Sequence, residues 1–571
     1  MGRDMRRTRD LFLDAAKSDP DPLRRQQALI RAARIDWYVF HDMRTARSTL
    51  AAVPDSSVEA SFAHAERARL ETELARDFVT ARKEAVAAYV LARSGRDRDQ
   101  ALTLGAAATV EEARQARIAG RCPPDRERVV RAVADLIAAI SGTGPTLERS
   151  RLLLDAALFA GDLPTVQKAW RWYYADVPAL VPDALSDRRT LGLALAAARL
   201  YEEADLVLRD PCADAPVSSD AAIRDILVYA AFTRRVSALA AEYHRTVAAG
   251  TADRIAFQHA LGVESLGLWN ALSWPGSPPP FTDDSVPAEL GLRFGAVIAL
   301  GETDGTFNLL YGHRISDETR TVEQYGHTAS VRFVQLDGMV AGGYASWATR
   351  DDRGTGAWND QGVIYQVRPL YADIPIRTWN DVMDSELRKR VAEQIRVETD
   401  RDAVRARNGA ITAFSGLELR FRREYAEVLR DRLVATGLSG DALRDAFLLR
   451  VREDKLASSI WAHEGRHAID KRLGVRASEE LEYRAKLSEV AFAPAPRIAF
   501  GSILSPVGTP GAHGVANARV LRGIGAWMRD HATGIAALDR SQPLLPQLDR
   551  LTDEELRAAF RSLDPLSTSS N

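Results

Sequence analysis

His463-Glu464-Gly465-Arg466-His467 stands out in this sequence as a segment whose residue types and spacing specify a chemistry. On a helix, residues four apart lie one above the other, with β-carbons about 5–6 Å apart, so two imidazoles can converge on one metal ion. Imidazole nitrogen is a preferred zinc donor. Glu464, one position beyond the first histidine, flanks the same face and can take the proton of a water activated there. The chemistry is hydrolysis, with water attacking a polarised carbonyl. Leu456 and Ile460 share the helical face of His463 and His467, so the histidines continue an inward-facing apolar stripe.

A catalytic zinc takes three protein ligands and keeps a fourth position open. Six residues after His467 stands Leu473, which excludes a third histidine at that spacing. Further on, the segment from Ser478 to Glu489 offers Glu479, Glu480, Glu482 and Glu489 on one expected helix. Gly474 suits the end of the first helix and Ser478 the start of the second. Such a helical hairpin brings the second helix back alongside the histidines.

With Glu482-Tyr483-Arg484-Ala485 fitting the pattern E-x-x-A, and Glu489 seven residues beyond Glu482, the sequence resembles the gluzincin metallopeptidases over about 30 residues. The resemblance implies a zincin-like α+β catalytic domain, a Zn²⁺ cofactor and a peptide or protein substrate. It implies His463, His467 and Glu482 as ligands, Glu464 as general base, and Glu489 as a carboxylate that orients a histidine. The interval from His467 to Glu482 is fifteen residues, shorter than in familiar members. A strict hairpin can instead bring Glu489 level with the metal, so Glu489 stands as the alternative third ligand, with Glu479 and Glu480 behind it. In such hydrolases a histidine or tyrosine stabilises the tetrahedral oxyanion; His513 is the candidate, followed by Tyr483 and Arg519, and a surface loop histidine is the competing reading of His513. Asp470 either orients a histidine or forms a salt bridge with Arg466 or Lys471.

The elements that position these residues read as mainly α with a small antiparallel β region. Residues 1–272 are helix after helix, with paired helices bending at Ala160-Gly161-Asp162 and near Leu200-Tyr201, loosely like a tetratricopeptide-type solenoid. Such a solenoid offers a surface for a protein partner. Residues 273–287 form a proline-rich linker. Residues 288–380 read as the β region, with a strand run beginning near Leu292, turns at Asp304-Gly305 and Asp337-Gly338, a following run Met339–Tyr344, and an exposed strand Val363–Arg368 able to bind an extended peptide. Residues 381–571 are the helical region bearing the motif, and 288–571 form one catalytic unit. The rival reading is a helical protein-binding scaffold whose motif is structural or inactive.

The 571 residues carry 76 basic and 78 acidic side chains, for a formal charge of −2, which argues against a nucleic-acid binder. No apolar run reaches the about 18 residues of a membrane span. The opening residues lack a secretory apolar block, so the sequence as written implies a cytosolic protein, or an exported one without its signal. Cys122 and Cys212, the two cysteines, read as two buried thiols, with one bridge between them as the alternative.

Overall fold

A computed structural model describes residues 2–122, 125–183, 185–209, 220–282, 284–303, 306–337, 357–360, 362–408, 414–504, 507 and 511–568. It is mainly helical with a small sheet. The chain divides into two compact units, Met1–Ile315 with Leu336–Gly354, and Ser316–Gln335 with Thr355–Asn571.

Aspartates set most helix starts of the first unit. Asp21, Asp42, Asp77, Asp125, Asp162, Asp187, Asp220 and Asp253 each accept a backbone N–H two or three residues ahead. Each such cap contributes about 1 kcal/mol. The helices are α1 (Gly2–Ser18), α2 (Pro22–Tyr38), α3 (Met43–Ala51), α4 (Ala60–Leu70), α5 (Phe78–Leu91), α6 (Gly95–Ile118), α7 (Arg126–Thr143), α8 (Leu147–Ala160) and α9 (Leu163–Tyr173). Then come α10 (Arg188–Ala197), α11 (Tyr201–Leu208), α12 (Ala221–Ala249), α13 (Arg254–Ala271) and α14 (Ser285–Phe294). From α1 to α9 each helix packs on the next, and α4 also meets α6, as α6 meets α8. Alanine makes the close approach of α4, α5 and α6 feasible: Ala65, Ala68, Ala85, Ala88 and Ala101 share one buried cluster with Leu104. The bend between α8 and α9 turns on Gly161 at φ +73°, a conformation that glycine adopts without steric cost.

Two expectations fail in this unit. The apolar run from Leu292 is not strand at its start, because Val286, Leu290 and Phe294 recur every four residues and bury one face of α14. Strand β1 (Ala296–Thr303) begins only after Gly295 has ended that helix. Cys122 is exposed and disulfide-bonded rather than a buried thiol; Cys212 lies outside the described residues.

Strand β2 (Thr306–Gln324) pairs antiparallel with β1, from Ala296 opposite His313 to Thr303 opposite Thr306. The turn Asp304-Gly305 between them lies outside the described residues, as do Gly338 and the run Met339–Tyr344. The division between units falls within β2.

In the second unit β2 turns at Tyr325-Gly326 into β3 (His327–Leu336), both turn residues having positive φ (50° and 77°). A two-residue hairpin with positive φ at both positions matches the twist of its strands. β4 (Ala357–Asp360) and β5 (Val363–Val367) complete the order β2-β3-β5-β4. β5 has β3 on one side and antiparallel β4 on the other, so it is no exposed edge for a peptide; β4 is the last strand of the order among the described residues.

Helices α15 (Pro369–Met383), α16 (Ser385–Arg407) and α17 (Ser415–Ala435) follow. Then α18 (Gly440–Leu456), a π-helical segment Ala457–Ala462 and α19 (His463–Arg472) run on without a break. Helices α20 (Ser478–Ala491), α21 (Phe500–Leu504), α22 (Ala512–His531), α23 (Asp553–Ser562) and α24 (Pro565–Thr568) complete the unit. Val331, Phe333, Ile364 and Tyr371 pack with Leu456, Ile460 and Trp461, joining the sheet to the π-helical segment. A larger core buries Leu487, Val490, Val520, Leu521, Ile524 and Phe560 among the C-terminal helices. Among the described residues, no helix is long and apolar enough to cross a membrane.

Candidate metal centre

The π-helical segment delivers the chain into α19, and the His463 N–H still reaches back five residues to the Ser458 carbonyl. Gly465 lets this helix approach β2 closely: a Cβ there would lie 2.7 Å from Val322 Cγ1. After the turn at Gly474, α20 returns alongside α19 and packs on it.

That hairpin brings three side chains to one point. The Nε2 atoms of His463 and His467 are 3.0 Å apart, with their rings nearly perpendicular. Glu482 Oε1 lies 3.4 Å from His467 Nε2, and its Oε2 lies 3.6 Å from His463 Nε2. His463, His467 and Glu482 are the one group among the described residues whose donor atoms cluster closely enough to share an ion. Zinc bonds of about 2.0–2.1 Å in tetrahedral arrangement put ligand atoms about 3.3–3.5 Å apart, close to these spacings. The donor set, two imidazoles and a carboxylate, fits zinc. Glu482 Oε2 makes no aligned hydrogen bond among the described residues, and its near neighbour beside His463 is His513 Nδ1 at 2.9 Å.

Electrostatics points the same way. Burial alone would raise the Glu482 carboxyl, yet His467, His513 and His463 hold it well below the usual carboxylate range. Glu489 faces the other nitrogen of His463, 3.2 Å from Nδ1. Its environment includes Lys486 Nζ at 3.4 Å and the Ser502 hydroxyl, which donates to Oε2. Burial opposes its ionisation, but Lys486 and His463 bring the Glu489 pKa down to about 2. Burial likewise disfavours a charged His463, and Glu489 outweighs it and raises the pKa.

Comparison of the chain with known protein families, curated proteins and solved structures gives no match.

The remaining candidates divide by location. Glu464 follows His463 on α19 and is half-buried; among the described residues its carboxylate has no hydrogen bond or ion pair. His513 stands in the first turn of α22, is 61% exposed, and brings Nδ1 within 2.9 Å of Glu482 Oε2 without the alignment of a hydrogen bond. Tyr483 is turned away into the core, where its hydroxyl donates to the Leu563 carbonyl. Arg519 lies over the Tyr483 ring and pairs with Glu480, which also pairs with Arg484. Asp470 is no partner of a histidine; it holds Arg466 and Arg484.

Arg466 is the residue within the motif whose importance the pattern hides. It is fully buried, and its guanidinium meets both oxygens of Asp564 (2.6 and 2.9 Å), Asp470 Oδ2 (2.8 Å) and Ser488 Oγ (3.3 Å). Arg466 and Asp470, four apart among apolar neighbours, were a sequence signal for a buried pair. Nothing local announced Asp564, 98 residues away.

Proposed function

We propose that this protein is a zinc-dependent metallopeptidase, gluzincin-like in its ligand arrangement. The observation that carries this reading is the convergence of His463, His467 and Glu482, with Glu464 on the adjoining helical position. A zinc ion held by His463, His467 and Glu482 would supply a Lewis acid for the scissile carbonyl and a bound water of lowered pKa. Glu464 accepts that water's proton and returns it to the leaving amine. Glu489 keeps the His463 ring turned so that Nε2 faces Glu482. The oxyanion donor is assigned to His513, and its position beside Glu482 and open to solvent supports that reading.

The helices of residues 1–272 are proposed as a tetratricopeptide-like solenoid that binds a protein substrate or partner. Packing of each helix from α1 to α9 on the next, with α4 on α6 and α6 on α8, supports that reading. Catalysis is assigned to the zincin-like second unit.

Metal analysis of protein prepared without chelator, followed by digestion of a peptide library, tests the function. One zinc per chain and cleavage abolished by chelator and restored by zinc are expected. A chain without zinc, or a zinc closed by four protein ligands, overturns it.

A further inference from the structure

Between the two helices that carry the candidate ligands lies one buried amide. Gln324, the last residue of β2, is 1% exposed. Its Nε2 donates to the Ala462 carbonyl at 2.8 Å, and its Oε1 accepts the Ser488 hydroxyl at 3.0 Å. Ala462 closes the π-helical segment and immediately precedes His463. Ser488 immediately precedes Glu489, six residues beyond Glu482. Both ends of one side chain therefore hold the two ligand-bearing helices, one at each hydrogen bond.

The location matters because of the π turn. A helix that passes from i→i+5 to i→i+4 bonding changes its rotational phase at the junction, and such insertions persist where surrounding contacts support them. Ala462 is that junction, and Gln324 binds its carbonyl. Ser488 is in turn bonded by Arg466, two residues past Glu464, so the bridge closes on α19. A buried polar network satisfied throughout fixes one registry of its elements, since any slip leaves a carbonyl or hydroxyl unpaired.

We propose that Gln324 is a positioning residue for the metal centre. It sets the rotation of the helix bearing His463 and His467 and the spacing of that helix from the one bearing Glu482. The proposal rests on the metallopeptidase reading but concerns a residue remote in sequence and outside the ligand set. It touches neither metal nor substrate.

The test uses the full chain and zinc alone, titrated against a chromogenic chelator, with thermal melting of the zinc-free protein alongside. Gln324→Met keeps the length of the side chain and removes both hydrogen bonds. Val331→Ala, in the same sheet–helix core, is the control for general destabilisation. Gln324→Met is expected to weaken zinc binding about ten-fold or more. Val331→Ala is expected to lower the melting temperature at least as far while holding zinc affinity within about two-fold of the parent. If Gln324→Met does not fold, Gln324→Glu, which keeps the shape and loses the donor to Ala462, carries the same expectation. Parent-like zinc affinity in the folded Gln324 variant overturns the proposal, as does an equal loss in Val331→Ala. A parent that takes up no zinc overturns the metal reading itself and this proposal with it, a result distinct from either.

Discussion

Glu489 lies 3.2 Å from Nδ1 of His463, the ring nitrogen that Glu482 does not face. Two glutamates on one helix thus address the same imidazole from different nitrogens, which gives them different work. Glu482→Ala removes a donor and is expected to abolish stoichiometric zinc uptake. Glu489→Ala removes an orienting partner and is expected to weaken zinc binding about 10–100-fold. Both are read by chelator competition, and the reverse order of effects assigns the ligand to Glu489.

Glu464 is adjacent to the donor set without belonging to it. Glu464→Gln keeps the volume and removes the base, so zinc content stays at the parent level while kcat for peptide cleavage falls about 10²–10⁴-fold. Turnover at the parent rate removes Glu464 from the proposed mechanism.

Local signals in the sequence reach as far as the hairpin. The four-residue spacing of His463 and His467 and the glycine at 474 suggest α19 and α20 side by side; Ser478 is the first residue of α20 and caps nothing, and the helical period left Glu482 and Glu489 both open as the third ligand. What escapes is set by residues far apart. The π turn at Ala457–Ala462 has no local composition signal; it joins α18 to α19 without a break. Gln324 reads as an ordinary strand-end polar residue until β2 is laid against Ala462. Tyr325-Gly326 is a weaker turn signal than Asp-Gly, yet it closes a hairpin, because positive φ is supplied at both positions. Helix α14 was hidden because its last residues, Leu292 to Phe294, fall in an apolar run that also suits a strand.

Gly465 makes a steric prediction within the motif. A methyl group there meets Val322 Cγ1 at 2.7 Å and Cβ at 3.0 Å, both on strand β2. Gly465→Ala is expected to lower stability of the zinc-free protein by about 1–3 kcal/mol through overpacking, outweighing alanine's better helix propensity. Val322→Ala in the same chain removes the Cγ contacts and leaves the Cβ at 3.0 Å, so it relieves the larger part of the clash. Urea unfolding of the single and double variants checks this, and additive losses reject the contact as the cause.

Arg466 is a test of buried charge. Replacing it with methionine leaves Asp470 and Asp564, both fully buried, without their common cation. The expected cost is about 3–5 kcal/mol of unfolding free energy. Adding Asp564→Asn to Arg466→Met removes one uncompensated charge and recovers part of that loss. No recovery in denaturant unfolding shows that Asp564 is not the stranded group.

His64 gives the first unit a pH dependence whose sign follows from its partners. Its Nδ1 lies 2.6 Å from Glu84 Oε2, and its Nε2 lies 3.0 Å from Asp55 Oδ1. The bond to Glu84 raises the His64 pKa above its ordinary 6.5; burial and Arg67 oppose this, and Asp55 adds to it. A histidine whose pKa is raised by folding contributes stability that is fully present below pH 6.5 and is lost as the pH climbs through the folded value. Stability should therefore decline as the pH rises from about 6.5, and His64→Gln should remove that part of the decline. Unfolding curves for parent and variant across this range decide it, and parallel declines assign the effect to another group.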